Sequence, residues 1–128
     1  MGYKLKEGIF YAKSDEWVSL NEDIATVGIS DYAQDKLGDI VYLEEVTKGK
    51  KVKQGEVFTT IESVKAASDL NAPVSGEVIE VNVDVVSTPS IINQDPYDKG
   101  WIAKIKVEDP SEVNNLMSDK EYSEYRKE

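Results

Sequence analysis

Strand-length runs of β-branched and aromatic residues, each closed by a turn, recur along this chain, and no run grows into a long helical pattern. They cover residues 9–13, 16–20, 24–29, 40–43, 57–63, 77–81 and 101–107. The last alternates cleanly, with Trp101, Ala103, Ile105 and Val107 interleaved by Ile102, Lys104 and Lys106, close to the period-two pattern of a half-buried strand. Asn21-Glu22-Asp23 between two runs reads as a hairpin loop. Many short strands with few helices predict a β sandwich or partly open barrel with helices at its margins.

The helical signals are few and short. Ser30 as N-cap, Asp31 in the first turn and Gly38 as the stop predict a helix over residues 31–37. Asp109-Pro110-Ser111-Glu112 reads as a capping-box-like start with Pro at the first helical position, and Ser118-Asp119-Lys120-Glu121 as a second. Two short helices should therefore close the chain, with Val113, Leu116, Tyr122 and Tyr125 available for packing. Gly38-Asp39-Ile40-Val41 resembles Gly76-Glu77-Val78-Ile79 at a spacing of 38 residues, the mark of two related halves or of two strands that each begin after a glycine. Its 128 residues suit a single domain, with a core over about 8–108 and a helical tail over 109–128.

Composition narrows the chemistry. The chain has no Cys and no His, which removes thiol nucleophiles, zinc–thiolate sites, iron–sulfur clusters and the commonest general base. Arg126 is the only arginine, so bidentate phosphate clamps are nearly out of reach. With 15 basic against 25 acidic residues the formal charge is −10, which a nucleic-acid backbone would repel. No apolar run approaches the roughly 18 residues of a membrane helix. The start Met1-Gly2-Tyr3-Lys4-Leu5-Lys6 lacks a signal-peptide core, and Lys6 stands where a myristoylation site wants Ser or Thr. A cytoplasmic monomer with no nucleic-acid or membrane partner is expected, and a carrier or binding module is favoured over an enzyme.

The most informative stretch runs from Thr59 to Val78. A strand enters, small residues surround Lys65, and a strand leaves towards Pro73 and Gly76, which places Lys65 at an exposed hairpin tip bracketed by Glu62 and Asp69. A Schiff-base lysine needs desolvation or a neighbouring cation, and this setting offers neither. The same setting suits modification by another enzyme, which can read the protruding turn. On local spacing alone, an ordinary solvated lysine is the favoured reading. Gly28, Gly38, Gly55 and Gly76 read as turns or caps, since no phosphate-binding glycine pattern is present. Trp17 and Trp101 read as core or rim packing, and the acidic tail with Glu112, Asp119, Glu121, Glu124 and Glu128 as a solvated face.

Glu62-Ser63-Val64-Lys65-Ala66, followed by Ser68-Asp69 and by Ala72-Pro73-Val74-Ser75-Gly76-Glu77-Val78, resembles the lipoyl attachment segment of the glycine cleavage H-protein family. Further blocks match in order: Glu16-Trp17-Val18, the run from Val27 to Gln34, Leu37-Gly38-Asp39-Ile40-Val41, Glu80-Val81-Asn82, Ile92-Asn93, Asp95-Pro96-Tyr97 and Gly100-Trp101. Two places depart from the family pattern. Asp15 stands where the family usually has a His, and Glu45-Val46 where a Leu-Pro is common.

The resemblance implies a barrel-sandwich hybrid, lipoyl-domain-like, of two antiparallel sheets. It implies a covalent lipoate on Lys65, with Glu62 and Gly76 helping a lipoate ligase or lipoyltransferase to recognise the turn. The implied role is a non-catalytic carrier of the aminomethyl group of glycine. That group would come from a glycine decarboxylase (P protein) and go to an aminomethyltransferase (T protein), with a dihydrolipoyl dehydrogenase (L protein) reoxidising the arm. It further implies a cleft for the loaded arm built from Ser14, Glu16 and Asp69, beside which Asp15 would add a third negative charge. The competing readings are a lipoate carrier or relay for another lipoate-dependent pathway and, less favoured, a biotin carrier. Biotinyl turns usually flank the lysine with Met, and Val64 and Ala66 stand there in this chain.

Overall fold

The computed structural model describes residues 3–127; Met1, Gly2 and the Glu128 of the acidic tail lie outside them. Nine strands form two antiparallel sheets. They are β1 (Phe10–Tyr11), β2 (Glu16–Asn21), β3 (Ile24–Ile29), β4 (Ile40–Leu43), β5 (Lys51–Val52), β6 (Val57–Ser63), β7 (Ala67–Asn71), β8 (Gly76–Val81) and β9 (Ala103–Val107). One sheet has the order β1-β2-β3-β9-β8-β5 and the other the order β4-β6-β7. The sandwich expected from the spacing of the strands is the architecture found.

The main core lies between the sheets, where Val18, Val27, Ile29, Leu43, Phe58, Ile61, Leu70, Val78 and Ile105 interlock. A second cluster of Ile9, Tyr11, Trp17 and Tyr122 covers the outer face of β2, with Tyr97 and Trp101 packed against it. Strand β2 is therefore buried on both faces at its start. Val18 turns inward to one cluster and Trp17 outward to the other, by the alternation that every strand imposes.

The expected helix forms α1 (Asp31–Leu37): the Ser30 hydroxyl accepts from the Ala33 N–H, and Gly38, at φ 78°, ends it. The tail folds as a 3₁₀ turn (Pro110–Asn115) and a final helix α4 (Asp119–Tyr125), numbered after α2 (Val83–Ser87) and α3 (Ile91–Gln94). At α4 the reciprocal Ser118–Glu121 capping box is complete. At the 3₁₀ turn it is not. The Asp109 carboxylate caps Ser111, while the Glu112 carboxylate accepts from both the N–H and the hydroxyl of Ser75 and so ties the tail to the body.

Several expectations need correction. Strand β1 is shorter than residues 9–13, and the β2–β3 loop is Glu22-Asp23 alone, because Asn21 still pairs with Ile24. Tyr125 is 45% exposed rather than packed inward. Gly28 and Gly76 are neither turns nor caps. Gly28 pairs with Trp17 and lies beneath its indole, where a Cβ would come within 2.7 Å of the ring. Gly76 opens β8 between Val52 and Val107, where a Cβ would meet the Lys106 carbonyl oxygen. Gly38 and Gly55, with positive φ, do serve turns. The repeated glycine motif thus marks two strand starts whose glycines are required for different reasons.

Candidate functional site

Lys65 sits at the tip of the β6–β7 hairpin. Ser63 and Ala66 close the turn through a backbone bond of 2.8 Å, and the Ser63 hydroxyl accepts from the N–H groups of both Lys65 and Ala66. A serine in this position supplies locally what a longer ladder would otherwise provide. The Val64 N–H donates to the Asp39 carbonyl, which fastens the tip to the end of α1. Beneath it lies Gly38, where an added Cβ would come 3.4 Å from Cε of Lys65. The lysine is exposed, and its neighbour Val64 is 65% exposed. The result is a rigid turn presenting one flexible primary amine.

The other residues singled out from the sequence are distributed unevenly around it. Glu62 is exposed on β6, three residues before the lysine and paired across to Tyr42 and Ala67. Gly76 does not join them: it lies in the other sheet, and its close contact with β9 is a packing requirement. Any part it has in presenting the lysine acts through the backbone of β8.

Strand β7 leads from the lysine turn to a second group of residues. At Asn71 its backbone N–H donates to Oε2 of Glu16, at 3.0 Å. Oε1 of the same carboxylate accepts from the Ser14 hydroxyl at 2.5 Å. Glu16 occupies the inward register of β2 at the open end of the sandwich and is only 1% exposed. Burial pushes its carboxyl up to about 7, against hydrogen bonds from Ser14, Asn71 and its own backbone that favour the charged form. An open cleft of about 340 Å³ runs alongside, lined by Ser14, Glu16, Gln54, Asn71, Pro73 and Asn115 among others. Over β7's five residues, at roughly 3.3 Å each, the cleft is about one strand length from the lysine turn.

Asp69 is exposed, alternates with the inward-facing Leu70, and its carboxylate accepts from the Thr60 hydroxyl at 3.3 Å. The structure therefore brings Ser14 and Glu16 together and leaves Asp69 outside the cleft lining, two residues from Asn71. Asp15 is not a third charge facing the cleft. It turns away, at φ 80°, into a clamp made by Arg126 and Tyr122. The sequence reading missed Asn71, Gln54 and Asn115, amides from three separate stretches whose convergence no local pattern announces. Among the described residues no group of three or more Asp or Glu side chains could hold a metal ion, and no helix is long and apolar enough to cross a membrane.

The chain is similar to known proteins over most of its length. The family model described as Glycine cleavage H-protein matches residues 9–128. A probable glycine cleavage system H protein of Pyrococcus furiosus is 52% identical over 127 residues, covering 98% of this chain and 94% of the relative. One from Aeropyrum pernix is 49% identical over 122 residues, covering 95% and 85%. The crystal structure of a glycine cleavage system H protein from Mycobacterium marinum superposes with a TM-score of 0.86 at 32% identity, covering 94% of this chain and 97% of that one.

Proposed function

The chain belongs to the glycine cleavage H-protein family, and from that premise we propose that Lys65 is its lipoyl attachment site. The protein then acts as a carrier, moving the aminomethyl group of glycine from a glycine decarboxylase to an aminomethyltransferase. A dihydrolipoyl dehydrogenase reoxidises the arm. The observation that carries the reading is the lysine turn: a primary amine held out on a hairpin braced by Ser63 and Asp39, with the glycine backbone of Gly38 beneath its stem. Amide-linked lipoate supplies a dithiolane for redox and thiol transfer, chemistry that a chain without cysteine cannot supply itself.

The chain's own residues bind, orient and shield. Glu62 gives the modifying enzyme a charge three residues before the target, on the strand that presents it. Lys65 loses its positive charge on acylation, so the formal charge goes from −10 to −11. Ser14 and Glu16 offer a protonated amine a hydroxyl and a carboxylate at the wall of an open cleft, and Asp69 adds a carboxylate from the exposed face of β7. A docked cation favours the ionised form of Glu16, against the burial that disfavours it. Confinement of the arm on its carrier preserves a labile load, while the tether keeps its effective concentration high at each partner.

Treatment with a lipoate ligase and lipoate, followed by peptide mass mapping, should find one adduct, on Lys65, and none in Lys65→Arg. An adduct on the arginine variant would overturn the assignment. In the aminomethyl-loaded protein without partner enzymes, Glu16→Ala and Asp69→Ala should each shorten the half-life for ammonia release. Half-lives equal to wild type would leave the cleft without a role.

A further inference from the structure

The cleft carboxylate opens β2 directly after a turn whose last residue is tied both to Ser30, whose N–H donates to the Asp15 carbonyl at 2.9 Å, and to the far end of the chain. The β1–β2 connection runs from Ala12 to Asp15 and turns through the three-residue loop Lys13-Ser14-Asp15, closed by the Ala12 N–H to the Glu16 carbonyl at 2.8 Å and the Asp15 N–H to the Ala12 carbonyl at 2.9 Å. Such loops need a left-handed residue before the strand resumes, and Asp15 takes that place at φ 80°. A non-glycine residue there is strained unless surrounding contacts hold it. They do so from Ser30 and from the far end of the chain. Arg126 donates to both oxygens of the Asp15 carboxylate, Nε at 2.9 Å and a terminal nitrogen at 2.8 Å, and the same terminal nitrogen reaches the Lys13 carbonyl at 3.2 Å. It thus grips the loop on both sides of Ser14. Tyr122 adds a hydroxyl on Asp15 at 2.7 Å, and that hydroxyl is itself bonded to Ser30 at 2.7 Å. The grip is partly buried, with the Arg126 and Asp15 side chains 23% and 16% exposed.

We propose that the last helix is a positioning element for the arm cleft: Arg126 and Tyr122, acting through Asp15, fix the loop that places Ser14 and Glu16. Arg126 is not a ligand of the cleft and touches neither Ser14 nor Glu16 in the hydrogen bonds described. Its contribution is the dryness and aim of the Glu16 carboxylate. The purpose of the device rests on the reading of the cleft given above, but its existence can be tested without a lipoyl group.

The charged groups around Glu16 are Asp15, next to it in sequence, and Lys13, which lines the same cleft; the other polar walls are the neutral Gln54, Asn71 and Asn115. Two effects of removing Arg126 therefore have opposite signs. Loss of its positive charge alone leaves Asp15 uncompensated and would raise the titration midpoint of Glu16. Release of the loop admits water and would lower the midpoint towards the ordinary carboxylate range.

The experiment follows the side-chain carboxyl of Glu16 by carbon-13 NMR against pH, in the unmodified full chain, for wild type, Arg126→Lys, Arg126→Gln and Tyr122→Phe. Arg126→Lys keeps the charge and loses the planar fork, and Tyr122→Phe removes only the hydroxyl. All three should lower the midpoint, the arginine variants by about one unit or more. A midpoint unchanged in Arg126→Lys and unchanged or raised in Arg126→Gln would overturn the proposal, even if thermal stability fell. Failure of lipoylation at Lys65 would overturn the carrier reading and leave this result standing.

Discussion

Glu16 shows how one residue can couple the cleft to the stability of the fold. Its carboxyl titrates near 7 in the folded protein because burial outweighs the Ser14 and Asn71 hydrogen bonds. A carboxyl raised on folding binds its proton more tightly in the folded state. Its stabilising contribution is therefore complete below the ordinary carboxylate value of 4.5 and is lost as pH rises through about 7. Urea denaturation from pH 4 to 8 should show wild type losing up to ~3 kcal/mol relative to Glu16→Gln across that window. Parallel curves for the two proteins would contradict the linkage. None of this was legible at the residue itself. Glu16-Trp17 reads as a strand start, and its burial depends on Asn71 and the cleft walls far along the chain. Lys65 is the opposite case, since the turn that presents it is written in the consecutive residues Ser63 to Ala66.

Among the elements, those with their own termination chemistry were the readable ones. Ser30 and Gly38 bound α1, and Ser118 with Glu121 bounds α4, because caps are decided within a few residues. Helix α2 went unseen: Val83-Asp84-Val85-Val86-Ser87 has the β-branched content of a strand, and only the Asn82 side chain, accepting from Asp84, marks its start. The two-residue strand β5 was also missed, for Lys51–Val52 carries too little pattern to register. Glycines expected at turns proved more specific, since β8 needs Gly76 for its approach to β9. Gly76→Ala should destabilise the protein by about 1–3 kcal/mol in urea, because the obstructing atom, the Lys106 carbonyl oxygen, belongs to backbone that cannot rotate aside. Its lipoylation rate per folded molecule should match wild type if the glycine acts through the fold. A variant as stable as wild type would show that the two strands can part freely.

For the whole molecule, the separation of a core from a helical tail understates how much the tail supports. Tyr122 is fully buried and stacks on Tyr11 with ring centroids 4.4 Å apart, while Glu112 binds Ser75 in the body. Tyr122→Ala should cost about 3–5 kcal/mol, the range for deleting a large buried aromatic. Intrinsic tryptophan fluorescence should report loosening around Trp17, which shares the cluster. A loss under about 1 kcal/mol would show the cluster to be dispensable. That a strand-rich sandwich would form could be read from the spacing of the runs. That the first hairpin and the last helix would interlock could not, because the pairing rests on contacts of Tyr11 and Asp15 with Tyr122 and Arg126 rather than on any repeated pattern.

The same clamp imposes an order in time on synthesis. The bonds that shape the lysine turn close within three residues, so its hairpin can form once β7 has been made. The bonds from Arg126 and Tyr122 to Asp15 span 111 and 107 residues, so a ribosome still short of the last helix has produced Lys65 but not the means of steadying Glu16. A chain halted before residue 122 would therefore present the lysine while its cleft was still slack. In the order of manufacture, the handle precedes the holster.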